Sequence, residues 1–434
     1  MRRASANVDG IGRIFYRKIG DLSAQELNDA ITGKTVTIAG NPTPISHYDL
    51  FNENISGKQA AADFMTSKGA KNGITLYKVE YTIFNHGQPD KVTGLLSLPT
   101  ERRNNQLPLY SWQHGTVNRA DEGPSGIMKN DQLQRTPIGS TIAGQIRSTE
   151  TLFNLVRFAG NGYAMIAADY NGIGGSGSAQ YYTLKDPTNQ ATLGMITASK
   201  GIISRLGINS DQLFLNGWSQ GALNILWLGE QLRQRNIPVT KQASSSTFSD
   251  INKTADYWFN TFAGSPVWGT SCLPLFFTAY ENYYNLKGLL KEAIKPEYLK
   301  IAESMVNGAF NWDNVPEPEK GKGLFGLPLT GKELLNEKFL EEFNSKRGRF
   351  YEKFQENATI MEQKYSHPTR FYGGDLDTAI PPGVSVDEPT SFFAPLSAGF
   401  NVGSTATHRS TFLGSLFGSA LDPNIDIGTW FQGG

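Results

Sequence analysis

Ser219 stands between two glycines in Gly217-Trp218-Ser219-Gln220-Gly221, inside the run LFLNGWSQGALNILWLGEQL from Leu213 to Leu232. A serine hydroxyl is a weak nucleophile at neutral pH and needs a base within hydrogen-bond reach, with a third group to orient that base. The short apolar run before the motif predicts a strand, and the apolar-striped run after it predicts a helix. A tight turn between them lifts the serine above a sheet, at the positive end of the helix, where a developing oxyanion is favoured. Bulky side chains at 217 and 221 would collide with neighbouring backbone in so tight a turn, hence glycine at both. A plain glycine-rich turn with a capping serine has the same five residues, so the rest of the chain must supply a base, an acid and an oxyanion site.

The base is found by elimination among five histidines. On a strand–turn–helix elbow the partners follow in chain order serine, acid, histidine. His47, His86 and His114 precede Ser219, and His367 sits just before a strand. Only His408, in STATHRSTF, follows both the serine and a suitable acid. That acid lies in FYGGDLDTAIPP, where a carboxylate fixed at a strand end can orient an imidazole and stabilise its protonated form. Asp377 is preferred over Asp375, which can instead cap the turn. Asp250, after an earlier strand, ranks third. The oxyanion site needs two N–H donors. One is the Gln220 amide, directly after the nucleophile. The other is assigned to the Thr116 amide, in the loop His114-Gly115-Thr116 that follows the apolar run LPLYSWQ. His114 is expected to brace that loop, and Trp218, beside the nucleophile, either to pack or to line a substrate pocket with it.

Stepping outward from these residues, ITLYKVEYTIF (74–84) and KVTGLLSLP (91–99) alternate as antiparallel strands do, with turn-rich NHGQPD between them. Buried strands are expected over 107–113, 163–169, 212–217, 239–248 and 370–374, with a last one within 399–407. Helices are expected over 150–162, 192–207 and 222–235. Strands alternating with helices imply an α/β fold with a mostly parallel sheet covered on both faces. The alternation stops between residues 251 and 365, a helical, aromatic-rich stretch too long for a loop. It reads as a cap inserted over the C-terminal edge of the sheet, where open α/β sheets bind ligands. The division expected is an N-terminal extension over 1–70 with no assignable pattern, a core over 71–250 and 366–434, and the cap over 251–365.

The ordered motifs WQHGT, AADYNGIGGSG, GWSQG, GGDLDTAIP and THR resemble the α/β-hydrolase superfamily, and within it the secretory lipase and esterase branch. The resemblance covers the core segments. It implies an α/β-hydrolase fold with a helical cap, a Ser-Asp-His triad at Ser219, Asp377 and His408, no cofactor, and small-molecule or lipid esters as substrates. A secreted or periplasmic site follows from the branch, although MRRASANVDGIGRIFYRK has a basic start with no apolar segment behind it and shows no signal peptide. Two other readings stay open on the same residues: a peptidase or aminopeptidase using the same triad, and a catalytically silent binding protein of the same fold.

Composition narrows the field. Lys+Arg 40 balances Asp+Glu 40 without a basic or acidic block, which argues against a nucleic-acid partner. Hydrophobic residues at 39% and aromatics at 11% supply a sizeable core. No run reaches the ~18 apolar residues of a membrane span. A single cysteine, Cys272, excludes an intrachain disulfide and a cysteine-rich metal site. The histidines are too scattered for a metal site on one helix. Three Asn-x-Ser/Thr matches, at Asn54, Asn252 and Asn357, are read as chance. Gly172-Ile173-Gly174-Gly175-Ser176-Gly177 matches a dinucleotide fingerprint, but such a fingerprint should open a helix, and SAQYYTLKDPTNQ follows with no apolar stripe. The segment is read instead as a close-packed loop with Asp169 bracing its backbone.

Overall fold

The computed structural model describes residues 4–8, 12–32, 34–38, 41–45, 67–102, 104–129, 132–138, 142–146, 148–261, 268–309, 322–358, 365–381, 383–418, 422 and 425–433. Ten strands form one sheet: β1 (Ala4–Val8), β2 (Gly12–Leu22), β3 (Ile74–Asn85), β4 (Gln88–Pro99), β5 (Leu109–Gln113), β6 (Ala164–Ala168), β7 (Leu213–Trp218), β8 (Lys241–Ser245), β9 (Thr369–Gly373) and β10 (Ser397–Asn401). Their spatial order is β1-β2-β3-β4-β6-β5-β7-β8-β9-β10. From β6 to β10 every neighbouring pair is parallel, while β1 to β4 form an antiparallel edge that joins β6 antiparallel.

The turn between β3 and β4 shows how local chemistry sets register. Asn85 pairs with Gln88, leaving His86 and Gly87 as a two-residue loop with φ of 49° and 76°. Positive φ at both positions is the hairpin turn whose twist matches its strands. Part of the N-terminal seventy residues also joins the sheet, since β2 pairs with β3 from Phe15↔Glu80 to Leu22↔Ile74. His47 and Asn54 lie outside the described residues.

The helices are α1 (Ala24–Thr32), α2 (Thr149–Arg157), α3 (Lys185–Arg205), α4 (Gln220–Gln234), α5 (Ile251–Asp256), α6 (Trp268–Tyr284), α7 (Leu289–Ala293), α8 (Pro296–Val306), α9 (Gly331–Leu334), α10 (Glu337–Asn344), α11 (Arg349–Ala358), α12 (Glu388–Phe393), α13 (His408–Phe417) and α14 (Ile427–Gln432). Helix α3 begins seven residues before the expected start at 192. Its polar first turns, KDPTNQ, still bury Pro187, Thr188 and Asn189, and proline is tolerated in a first turn because its missing N–H has no partner there anyway.

Side chains alternate across the central strands with period two. Tyr110, Trp112 and Phe214 face one way and pack with Leu152, Phe153 and Val156 of α2 and Phe412 and Leu416 of α13. Leu109, Leu213 and Leu215 face the other way against Met195 and Ile202 of α3 and Ile225 and Leu228 of α4. Between β8 and β9 the chain forms α5 to α11, whose aromatics pack largely on one another. Phe277 lies 5.1 Å from Phe339 and Phe350 lies 5.7 Å from Phe354, ring centre to ring centre. This third cluster is continuous with Leu223, Leu226 and Trp227 of α4, so the helical layer is anchored on the helix that follows Ser219. Among the described residues no helix is long and apolar enough to cross a membrane.

Candidate active site

Strand β7 ends at Trp218, and α4 begins at Gln220. Ser219 between them has φ 57° and ψ −122°, outside the regions an L-residue favours. Such a conformation costs on the order of 1–3 kcal/mol and persists only where the surroundings impose it. Here the Ser219 amide donates to the Ser245 carbonyl at 3.0 Å. The flanking glycines are required by contact. A Cβ on Gly217 would come within 2.2 Å of the Gly221 carbonyl oxygen, and one on Gly221 within 1.9 Å of the Gln113 carbonyl oxygen.

The parallel half of the sheet brings its C-terminal strand ends to one edge, and the remaining residues meet Ser219 there. His408 is the first residue of α13, and its Nε2 lies 2.9 Å from Ser219 Oγ. Its Nδ1 lies 3.0 Å from each oxygen of Asp377, in the loop after β9. The Asp377 carboxylate also accepts the amides of Ala379 at 2.9 Å and Ile380 at 3.1 Å. Burial opposes its charge, but the charge and hydrogen bond of His408 and the Ile380 amide outweigh that and hold its carboxyl below the usual range. A parallel bridge between Leu376 and Thr407, with the Leu376 amide on the Ala406 carbonyl at 3.0 Å, ties the acid loop to the start of α13. Gly374 permits this approach, since a Cβ there would lie 2.4 Å from the Ala406 oxygen. Asp375 is exposed and accepts from Asn401 instead, and Asp250 caps α5 through the amides of Asn252 and Lys253.

Gln220, buried, opens α4, where the first amides of a helix have no intrahelical partner. Thr116 follows β5 and lines the same cavity as Ser219, with its hydroxyl donating to Tyr182 Oη at 3.0 Å. The neighbouring Gly115 amide is already taken, donating to Glu150 Oε2 at 2.8 Å from the first turn of α2. His114 is buried with Nδ1 2.7 Å from the Gly115 carbonyl, Nε2 3.3 Å from the Asp169 carbonyl, and its ring stacked on Tyr170. Burial pushes its pKa down, against the pull of those carbonyls and of Asp169. Trp218 and His114 both line the cavity. Its lining includes apolar side chains from Val117, Phe248, Trp258, Cys272 and Ala379, and polar ones from Glu122, Thr149, Glu150, Thr151 and Arg409.

No protein-family model matches this chain, and no curated protein matches it in sequence. Solved structures do. A Legionella pneumophila protein provisionally described as a hydrolase superposes with a TM-score of 0.70 at 19% identity, over 91% of this chain and 92% of that one. The rice cell wall degrading esterase LipA from Xanthomonas oryzae gives 0.64 at 16% identity over 91% and 92%. Candida antarctica lipase A in its closed state gives 0.56 at 13% identity over 82% and 76%. The fold is that of the α/β-hydrolases. At these identities the likeness speaks for the fold, and the chemistry must be argued from the residues.

Within the α/β-hydrolase fold the glycine-rich segment after β6 has a structural task. No helix opens there, since α3 starts only at Lys185. Gly174, at φ 64°, lies so close to Asp169 that a Cβ would sit 2.0 Å from Oδ2. The buried Asp169 accepts the hydroxyls of Thr93 and Ser125, each at 2.5 Å, and the Ser125 amide at 2.7 Å. Sequence reasoning did not single out Glu150, Arg409, Phe248 or Trp258. Each reaches the cavity from an element whose local pattern reads as ordinary helix or loop. Trp258 has one distinguishing contact, its Nε1–H donating to the Ala379 carbonyl at 2.7 Å, which fastens the residues after α5 to the acid loop.

Proposed function

We propose that this chain is a serine hydrolase that cleaves carboxylic esters through an acyl-enzyme. The observation that carries the reading is the unbroken hydrogen-bonded series Ser219 Oγ, His408 Nε2, His408 Nδ1, Asp377 carboxylate. His408 takes the Ser219 proton as Oγ attacks the ester carbonyl, then returns it to the departing alcohol. Asp377 fixes the imidazole tautomer and balances the imidazolium. The amides of Gln220 and Thr116 hold the oxyanion, each such donor being worth roughly 3–4 kcal/mol. Water then attacks the acyl-enzyme with His408 again as base. The partly apolar cavity suits an acyl group, and the esterase from Xanthomonas oryzae and the lipase from Candida antarctica share the fold.

The test is hydrolysis of p-nitrophenyl esters from acetate to palmitate, with Ser219→Ala as control. The expected result is turnover that vanishes in a folded Ser219→Ala protein. Activity retained in that variant would overturn the reading. A peptidase on the same residues draws support from Glu122 and Glu150 in the cavity wall, where a substrate amine could bind. Faster turnover of aminoacyl p-nitroanilides than of any ester would favour it.

A further inference from the structure

We infer that Trp218 is a positioning residue for the base, holding His408 against Ser219 and favouring the imidazolium that forms during attack. This rests on the serine-hydrolase reading above and names a residue that the triad itself does not include.

Trp218 is buried, and its indole meets the base in two ways. The Nε1–H donates to the His408 carbonyl at 3.1 Å, which fixes the backbone at the first residue of α13. The ring lies 4.8 Å from the imidazole, centre to centre, tilted by 36°. It also lies 5.2 Å from the Phe412 ring at 37°. His408 and Phe412 are four residues apart on α13, so they form one face of the helix, and the indole covers that face. On the oxyanion side, Gly115 comes so near that a Cβ would stand 2.9 Å from Trp218 Cε3. One side chain, adjacent in sequence to the nucleophile, therefore sets the separation between base, nucleophile and oxyanion loop.

The contact with the imidazole has an electrostatic consequence. When Ser219 Oγ–H gives its proton to Nε2, Nδ1–H stays on Asp377 and the ring gains one positive charge. The Asp377 carboxylate meets that charge at the ring edge, and the tilted indole, 4.8 Å away, lies inside the ~6 Å range of cation–π attraction. The other titratable groups lining this cavity are Glu122, Glu150, Arg409, His114 and Cys272, and Tyr257 senses Asp377. All are unchanged by substitution at 218.

The experiment compares wild type, Trp218→Phe and Trp218→Leu with p-nitrophenyl acetate, reading kcat and KM separately, the acid limb of kcat/KM against pH, the thermal midpoint, and fluorophosphonate labelling of Ser219. Removing the indole takes support from protonated His408, so the acid limb in Trp218→Leu should move to lower pH by roughly 0.5 to 1 unit. Its kcat should fall by on the order of tenfold. Trp218→Phe keeps a ring face and should recover part of the limb position. A limb that stays in place in a folded, labelled Trp218→Leu protein would overturn the inference, whatever happens to stability. Should Trp218→Leu not fold, Trp218→Met, which also lacks the ring, takes its place: a lowered limb supports the inference and an unmoved one overturns it. Failure of wild-type Ser219 to label overturns the hydrolase reading and this inference with it, an outcome distinct from an unmoved limb.

Discussion

His408 Nδ1 lies equidistant, at 3.0 Å, from the two carboxylate oxygens of Asp377, while Asp375, two residues earlier, turns out to bond Asn401. Asp377→Asn presents an amide to Nδ1 and favours the wrong tautomer, so kcat should fall about 10⁴-fold with the fold intact. Asp375→Asn removes a charge from an exposed loop and should change kcat less than about twofold. Steady-state kinetics on the two variants checks the assignment, and a collapse in Asp375→Asn with Asp377→Asn active would reverse it.

Glu150 accepts the Gly115 amide at 2.8 Å and so ties down the loop that carries Thr116, the proposed second oxyanion donor. Glu150→Ala releases the loop and should lower kcat by on the order of tenfold, a fraction of the ~10²–10³ that a lost oxyanion donor costs. Glu150→Gln keeps an acceptor oxygen and should retain most of the activity. Equal losses in both variants would show that the carboxylate charge, not the loop geometry, is what the site needs.

How much of this was legible follows from how local each signal is. Ser219 was readable because the elbow is written in five consecutive residues, and its glycines are there for contacts of 2.2 and 1.9 Å that leave no alternative. That His408 and Asp377 would meet Ser219 in space followed from chain order among few candidates. Strand β2 was not, because its exposure follows no two-residue alternation and its register shifts between Lys18 and Gly20. The first turns of α3 were missed because polar residues there are buried by tertiary packing that no periodicity records. Glu150 was invisible because its partner is 35 residues away, and its place in a helix's first turn already accounts for an acidic residue through the helix dipole. Trp258 was hidden among aromatics that pack on each other.

The lining beside Ser219 includes the large rings of Phe248 and Trp258. Rings there leave less length for an acyl chain than small side chains would, so the p-nitrophenyl series should favour short chains and fall by more than about tenfold at palmitate. Trp258→Ala, which opens the wall fastened to Ala379, should flatten the series toward longer chains. A wild-type optimum at palmitate would overturn this reading of the cavity.

His367 offers a prediction about stability that is separate from the chemistry. It is buried, its ring stacks on Tyr365 with centres 4.9 Å apart, and its Nε2 lies 3.3 Å from Gln242 Oε1. Burial disfavours the charged form and pushes its pKa down to about 4. In the unfolded chain the ordinary value is near ~6.5. The folded value being the lower one, the neutral imidazole's contribution is fully present above pH ~6.5 and is lost as pH falls toward 4, because only the unfolded chain binds the proton across that window. The loss amounts to about 3 kcal/mol. Chemical denaturation of wild type at pH 7 and pH 4.5 should show a drop of that order, part of which disappears in His367→Gln, while ester turnover at pH 7 survives the substitution. If the two proteins lose stability in parallel between those pH values, His367 is not the group responsible.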